Sequence, residues 1–64
     1  MQNYIFKIEK FGKLIILNDS SKWEVSISDI STAAMWSQLD NVSVSGDKMT
    51  NLERKETVSV KRKS

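Results

Sequence analysis

Apolar residues recur at every second position through most of this 64-residue chain, and that period decides what it can fold into. Tyr4, Phe6 and Ile8 alternate with Ile5, Lys7 and Glu9. Trp23, Val25 and Ile27 alternate with Lys22, Glu24 and Ser26. Val42 and Val44 alternate with Asn41, Ser43 and Ser45, and Val58 and Val60 with Thr57, Ser59 and Lys61. Successive strand side chains point to opposite faces, so each run has one dry and one wet face. Short runs of this kind, separated by turn signals, predict an antiparallel barrel or sandwich. The expected fold is all-β: five or six short antiparallel strands in a small, partly open barrel of Src-homology-three-like or OB-like type, with one short helical turn near residues 29–36. Residues 1–61 form the single domain and residues 62–64 a basic C-terminal tail.

The second half of the chain specifies its own register. Gly46-Asp47 suits a two-residue hairpin turn with glycine at the first central position. Pairing then runs Val44 with Met49, Ser43 with Thr50 and Val42 with Asn51. A four-residue loop over 53–56 pairs Met49 with Val60, Thr50 with Ser59 and Asn51 with Val58. The hydroxyls of Ser43, Thr50 and Ser59 then share one face and the apolar residues the other. Asn51 falls on the apolar face, where a buried amide must find partners or cost about 1–3 kcal/mol. Its expected role is to pin the register.

The first hairpin leaves two registers open around the turn cluster Asn18-Asp19-Ser20-Ser21. A two- or four-residue loop pairs Ile16 with Trp23 and Leu14 with Val25. A three-residue loop with a bulge brings Ile15 and Leu17 inward instead. Both faces of 14–17 are apolar, so this segment is either a bent strand serving both halves of a barrel or an exposed strip that pairs with another chain. Between the hairpins, Ser28 or Asp29 can cap a short helix carrying Ile30, Ala33 and Ala34. Trp36 and Leu39 are expected to return to the barrel as a plug.

Composition removes most enzyme classes. There is no His and no Cys, hence no imidazole base, no thiolate and no disulfide; there is no Pro and there are two glycines. The carboxylates lie on wet faces or in turns, Asn18–Ser21 carries too little charge for a hard cation, and no glycine-rich loop cradles phosphate. No catalytic residue, cofactor or metal is expected. No stretch approaches the roughly 20 apolar residues of a membrane span. The first ten residues, broken by Lys7 and Glu9, do not read as the apolar part of a signal peptide, which points to the cytoplasm unless a leader was removed.

Residues 1–53 carry a net charge of −2, and residues 54–64 one of +4. The leading expectation is therefore a non-catalytic binding or assembly module, meeting a protein partner or a second copy of itself. Its surface would be the outer side of Ile15 and Leu17, or a groove near Trp36. The alternative is a nucleic-acid-binding barrel using Arg54, Lys55, Lys61, Arg62 and Lys63, with Tyr4 and Phe11 left over for base stacking.

The run Leu17-Asn18-Asp19-Ser20-Ser21-Lys22-Trp23-Glu24-Val25 resembles the L-x-D-G-S-x-W-x-V hairpin of small bacterial β proteins. In those a second Trp, a G-D-x-V-x-V strand, an Asn-containing strand and a final V-x-V strand follow. Trp36, Leu39-Asp40-Asn41-Val42-Ser43-Val44, Asn51 and Val58-Ser59-Val60 stand in that order here. The resemblance spans roughly residues 14–61 and implies a small barrel with no assigned activity. Ser20 and Leu39 stand where the pattern has Gly, and at Ser20 a side chain resists the positive φ that a tight turn demands.

Overall fold

Six strands form along the alternating runs: β1 (Gln2–Glu9), β2 (Leu14–Leu17), β3 (Lys22–Val25), β4 (Asn41–Ser45), β5 (Lys48–Asn51) and β6 (Glu56–Lys63), with one helical turn, α1 (Ile30–Ala33), between β3 and β4. The computed structural model describes residues 2–63. The strands are joined antiparallel in the order β1–β2–β3–β6–β5–β4, and β4 returns to β1, so the barrel expected to be partly open is closed. Closure follows from the two eight-residue strands. β1 pairs with β4 through Gln2–Tyr4 and with β2 through Ile5–Glu9, while β6 pairs with β5 through Glu56–Ser59 and with β3 through Val60–Lys63. β6 runs through Arg62 and Lys63, so the tail expected at 62–64 is ladder-bonded strand as far as Lys63; Ser64 lies outside the described residues.

Ile5, Ile15, Leu17, Trp23, Val25, Val42, Met49, Val58 and Val60 fill the barrel, and Ala33 and Trp36 close one side of it. Each large aliphatic side chain buried this way contributes about 1.5–3 kcal/mol. β1 turns a different face inward from the one its aromatics suggested. A bulge at Phe6 shifts the register between Ile5 and Lys7, so Ile5 and then Ile8 point in while Phe6 is 55% exposed. A bulge adds one residue to one strand and so resets which side chains face the core.

The β4–β5 hairpin has the register expected from Gly46, whose φ of +59° begins the two-residue turn. The β5–β6 pairing slides by two residues, to Met49 with Val58, Thr50 with Thr57 and Asn51 with Glu56. A two-residue slide keeps every side chain on its face. The hydroxyl row survives as Ser43, Thr50 and Thr57, with the two threonine oxygens 2.9 Å apart. The slide has a local cause: the Asn51 side chain accepts the amides of Glu53 (2.9 Å) and Arg54 (3.0 Å), which starts the turn immediately after Asn51.

The first hairpin takes the three-residue loop. Leu17 and Ser21 bond across Asn18–Ser20, and Ile15 pairs with Trp23. Asp29, expected as a cap, makes no cap bond; its Oδ2 accepts the Ser59 amide at 2.8 Å and ties α1 to β6. Leu39 does not plug the barrel. It is 70% exposed with φ +76°, because its amide and the Asp40 carbonyl are both spent on Ile5. Ser20, the other position where glycine was absent, also has positive φ (+72°). Left-handed backbone costs a non-glycine residue about 1–2 kcal/mol, partly offset by the greater unfolded freedom of Gly. Leu39→Gly is therefore expected to raise stability by about 0.5–1 kcal/mol, read as a higher midpoint in urea unfolding. A lowered midpoint contradicts the strain assignment.

Candidate functional site

Where β1, β2, β3 and β6 pair, the inward positions are apolar except for Arg62 at the rim, and the outward positions are mostly charged. Two cross-strand rows result. One runs Lys7, Ile16, Lys22, Lys63, and the next Glu9, Leu14, Glu24, Lys61. Lys10 and Lys13 join them from the β1–β2 turn, where Lys10, Lys13 and Lys63 line a small cleft with Leu14 and Glu24. Lys7, Lys10, Lys13, Lys22, Lys61 and Lys63 thus share one region, with Glu9 and Glu24 as the acidic members of the two rows. Glu9 Oε2 is 3.1 Å from Lys7 Nζ, and Glu24 Oε2 is 3.8 Å from Lys13 Nζ. Lys22 stands directly opposite Lys63. Like charges in that position destabilise a sheet.

A groove of about 310 Å³ adjoins this face, with Lys13 and Lys61 among its lining residues over Val25, Ile27 and Val60. On its β1–β2 side the chain turns through three consecutive residues of positive φ: Lys10 (+54°), Phe11 (+59°) and Gly12 (+98°). Gly12 is buried against the backbone of α1, where an added Cβ would sit 2.7 Å from both the Ala34 nitrogen and the Ile30 oxygen. With Gly12 locked there, Phe11 is held outward at 94% exposure between Lys10 and Lys13.

The structure places the residues singled out in the sequence differently from expectation. Ile15 and Leu17 are fully buried core, so they form no outer surface; the outward pair on β2 is Leu14 and Ile16, both half-buried. The closed ladder offers no free strand edge among the described residues for a second chain to extend. Trp36 is 5% exposed, its indole N–H donates to Glu56 Oε1 (2.9 Å), and it is not among the residues lining the groove beside the lysine face. Arg54 is engaged by the same Glu56 oxygen at 3.3 Å, and Lys55 lies in the turn before β6. Both stand at the opposite end of β6 from Lys61 and Lys63, about 20 Å away at strand rise. Arg62 shares the inward register of Val58 and Val60, and at the barrel rim its guanidinium lies 5.7 Å from the Trp23 ring centre. Of the five predicted basic contacts, Lys61 and Lys63 belong to the assembled face. Sequence reasoning missed Lys7, Lys10, Lys13 and Lys22. The available signal was parity, because Lys7, Lys22, Lys61 and Lys63 each occupy the outward phase of a strand.

The acidic side chains mostly hold backbone and loops. Asp19 accepts from the Ser21 amide and hydroxyl, and that hydroxyl accepts the Trp23 indole N–H at 2.8 Å, which explains the spacing of Asp19, Ser21 and Trp23. The Ser21 bonds hold the Asp19 carboxyl below its ordinary range. Asp40 Oδ2 accepts from the Ser37 amide and from Asn51 Nδ2, and Glu53 accepts from Asn41. With Asp29 on Ser59 and Glu56 on Trp36, these groups are committed to the scaffold.

No family model matches the chain, and no curated protein or solved structure does. The charge distribution is therefore the main pointer to what the barrel meets.

Proposed function

We propose that this protein is a non-catalytic binding module whose working surface is the lysine-rich outer face of β1, β2, β3 and β6, and whose partner is polyanionic. The single observation that carries this reading is the juxtaposition of Lys22 with Lys63 within a six-lysine region. Two ammonium groups on opposed residues gain nothing for the fold, and a charged surface that serves solubility alone is served as well by alternating signs. A surface with concentrated positive charge steers and holds a negative partner.

Retention on immobilised heparin tests the proposal. The parent protein is expected to elute well into a salt gradient. A variant carrying glutamine at Lys7, Lys22, Lys61 and Lys63 is expected in the flow-through at low salt. Thermal melting of that variant is expected to match or exceed the parent, since the Lys22–Lys63 repulsion is gone. Equal retention of the two proteins, or no retention of the parent, would overturn the reading.

A further inference from the structure

We infer that the polyanion is single-stranded nucleic acid, its phosphates held on the lysine rows and one base stacked on Phe11. The inference rests on the lysine face being the binding surface, and the Phe11 turn is the independent observation that narrows the partner.

A ring that is 94% exposed contributes almost nothing to the core. The chain nonetheless holds it there with two consecutive non-glycine residues of positive φ, braced by Gly12 against α1. Strained backbone clusters at sites of use, and here the strain presents an aromatic ring beside two lysines, a combination that the other residues of positive φ lack. Phe11 is flanked by Lys10 and Lys13, and Lys13 also lines the groove with Lys61. An aromatic platform beside a basic track is how proteins hold single strands, because every base has a face to stack while phosphates follow the cations.

Phe11 favours a nucleic acid over a polycarboxylate, since a carboxylate chain has no base to stack on the ring. The cations of the face are lysines, compact point charges suited to a repeating phosphate chain. The two arginines, whose planar forks match carboxylates and phosphates alike, are engaged elsewhere, Arg54 by Glu56 and Arg62 over Trp23, so the face holds its partner through lysine charge alone. Adjacent strands lie about 4.8 Å apart, so the row from Lys7 to Lys63 spans about 15 Å, a span that suits a few nucleotides. Stacking on Phe11 needs an unpaired base, and the face presents no helix to enter a major groove, so a duplex fits poorly. Nothing in the lysine rows reads base edges, so little sequence preference is expected.

Fluorescence anisotropy with a short labelled oligothymidylate tests this on the full chain. Affinity is expected to fall about fiftyfold between roughly 50 and 200 mM salt if four phosphates are engaged. Phe11→Ala is expected to weaken binding about tenfold with an unchanged salt slope, since it removes stacking and no charge. Phe11→Tyr restores the affinity, and all three proteins melt alike because the ring is exposed. Full affinity in Phe11→Ala, or a duplex of the same length bound as tightly as the single strand, overturns the inference. Lysine-dependent binding of poly-glutamate without binding of the oligonucleotide overturns it too, while leaving the polyanion-binding face intact. Failure of both probes at low salt removes the face and the inference together.

Discussion

Gly12→Ala is expected to lose most of the stability of this protein. The added Cβ would meet backbone atoms only, 2.7 Å from the Ala34 nitrogen, 2.7 Å from the Ile30 oxygen and 2.8 Å from the Ala34 Cα. No rotamer change can relieve such contacts. The residue would also have to hold φ at +98°, a conformation that alanine resists. Relief requires α1 to move, and α1 carries Ala33 into the core and leads directly to buried Trp36. The combined cost is about 3–5 kcal/mol. A domain of this size has only about 3–10 kcal/mol in all. Thermal melting followed by circular dichroism should fall by about 15–30 °C, with part of the population unfolded near 37 °C. Phe11→Ala, one residue away, supplies the control because its ring is out in solvent. A Gly12→Ala protein that melts like Phe11→Ala would mean that α1 does not rest on Gly12.

Asn51→Leu should cost about 3 kcal/mol, although it replaces a polar side chain with an apolar one in a core position. The amide is 0% exposed and both of its polar atoms are bonded. Its nitrogen donates to Asp40 Oδ2 at 2.9 Å, and its oxygen accepts the Glu53 and Arg54 amides. Leucine removes all three bonds, and unsatisfied groups in a part-buried setting cost about 1–3 kcal/mol each. The transfer gain of the new side chain offsets part of that loss. A urea denaturation midpoint that is unchanged or raised would show that the amide does not hold the turn. The expected loss concerns the β5–β6 turn above all. Without the side-chain cap over 52–55, the two-residue longer pairing of Met49 with Val60 becomes a competitor, since it keeps the same faces.

That competition explains where the sequence was legible and where it was not. Val42, Val44, Val58 and Val60 announced their facing because period two survives any even shift, but the shift itself was set by the Asn51 amide, which caps the turn directly after it and is held from another loop by Asp40. The Gly46 hairpin was readable because a two-residue turn leaves only one register. On β1 the alternation was intact and still misleading: the bulge at Phe6 comes from pairing with β2 and β4 on opposite flanks, which a local pattern does not encode. Ile15 and Leu17 could not be told from Leu14 and Ile16 by apolarity, and the three-residue turn at Ser20 decided between them. The candidate site was the least visible part. Lys7, Lys10, Lys13 and Lys22 belong to the stretch whose net charge is negative, and only the pairing of β3 with β6 brings Lys22 beside Lys63.

β1 and β6 each belong to both halves of the barrel, and this has a bearing on how the molecule comes apart. Neither half can be peeled away without stripping hydrogen bonds from a strand that the other half also needs. Loosening at the β3–β6 seam is therefore felt at the β5–β6 seam through one continuous backbone, and the same holds across β1. Partial opening offers no resting place between intact and unravelled, so a polyanion that clamps the lysine side would slow exchange of amide hydrogens on the far side as well.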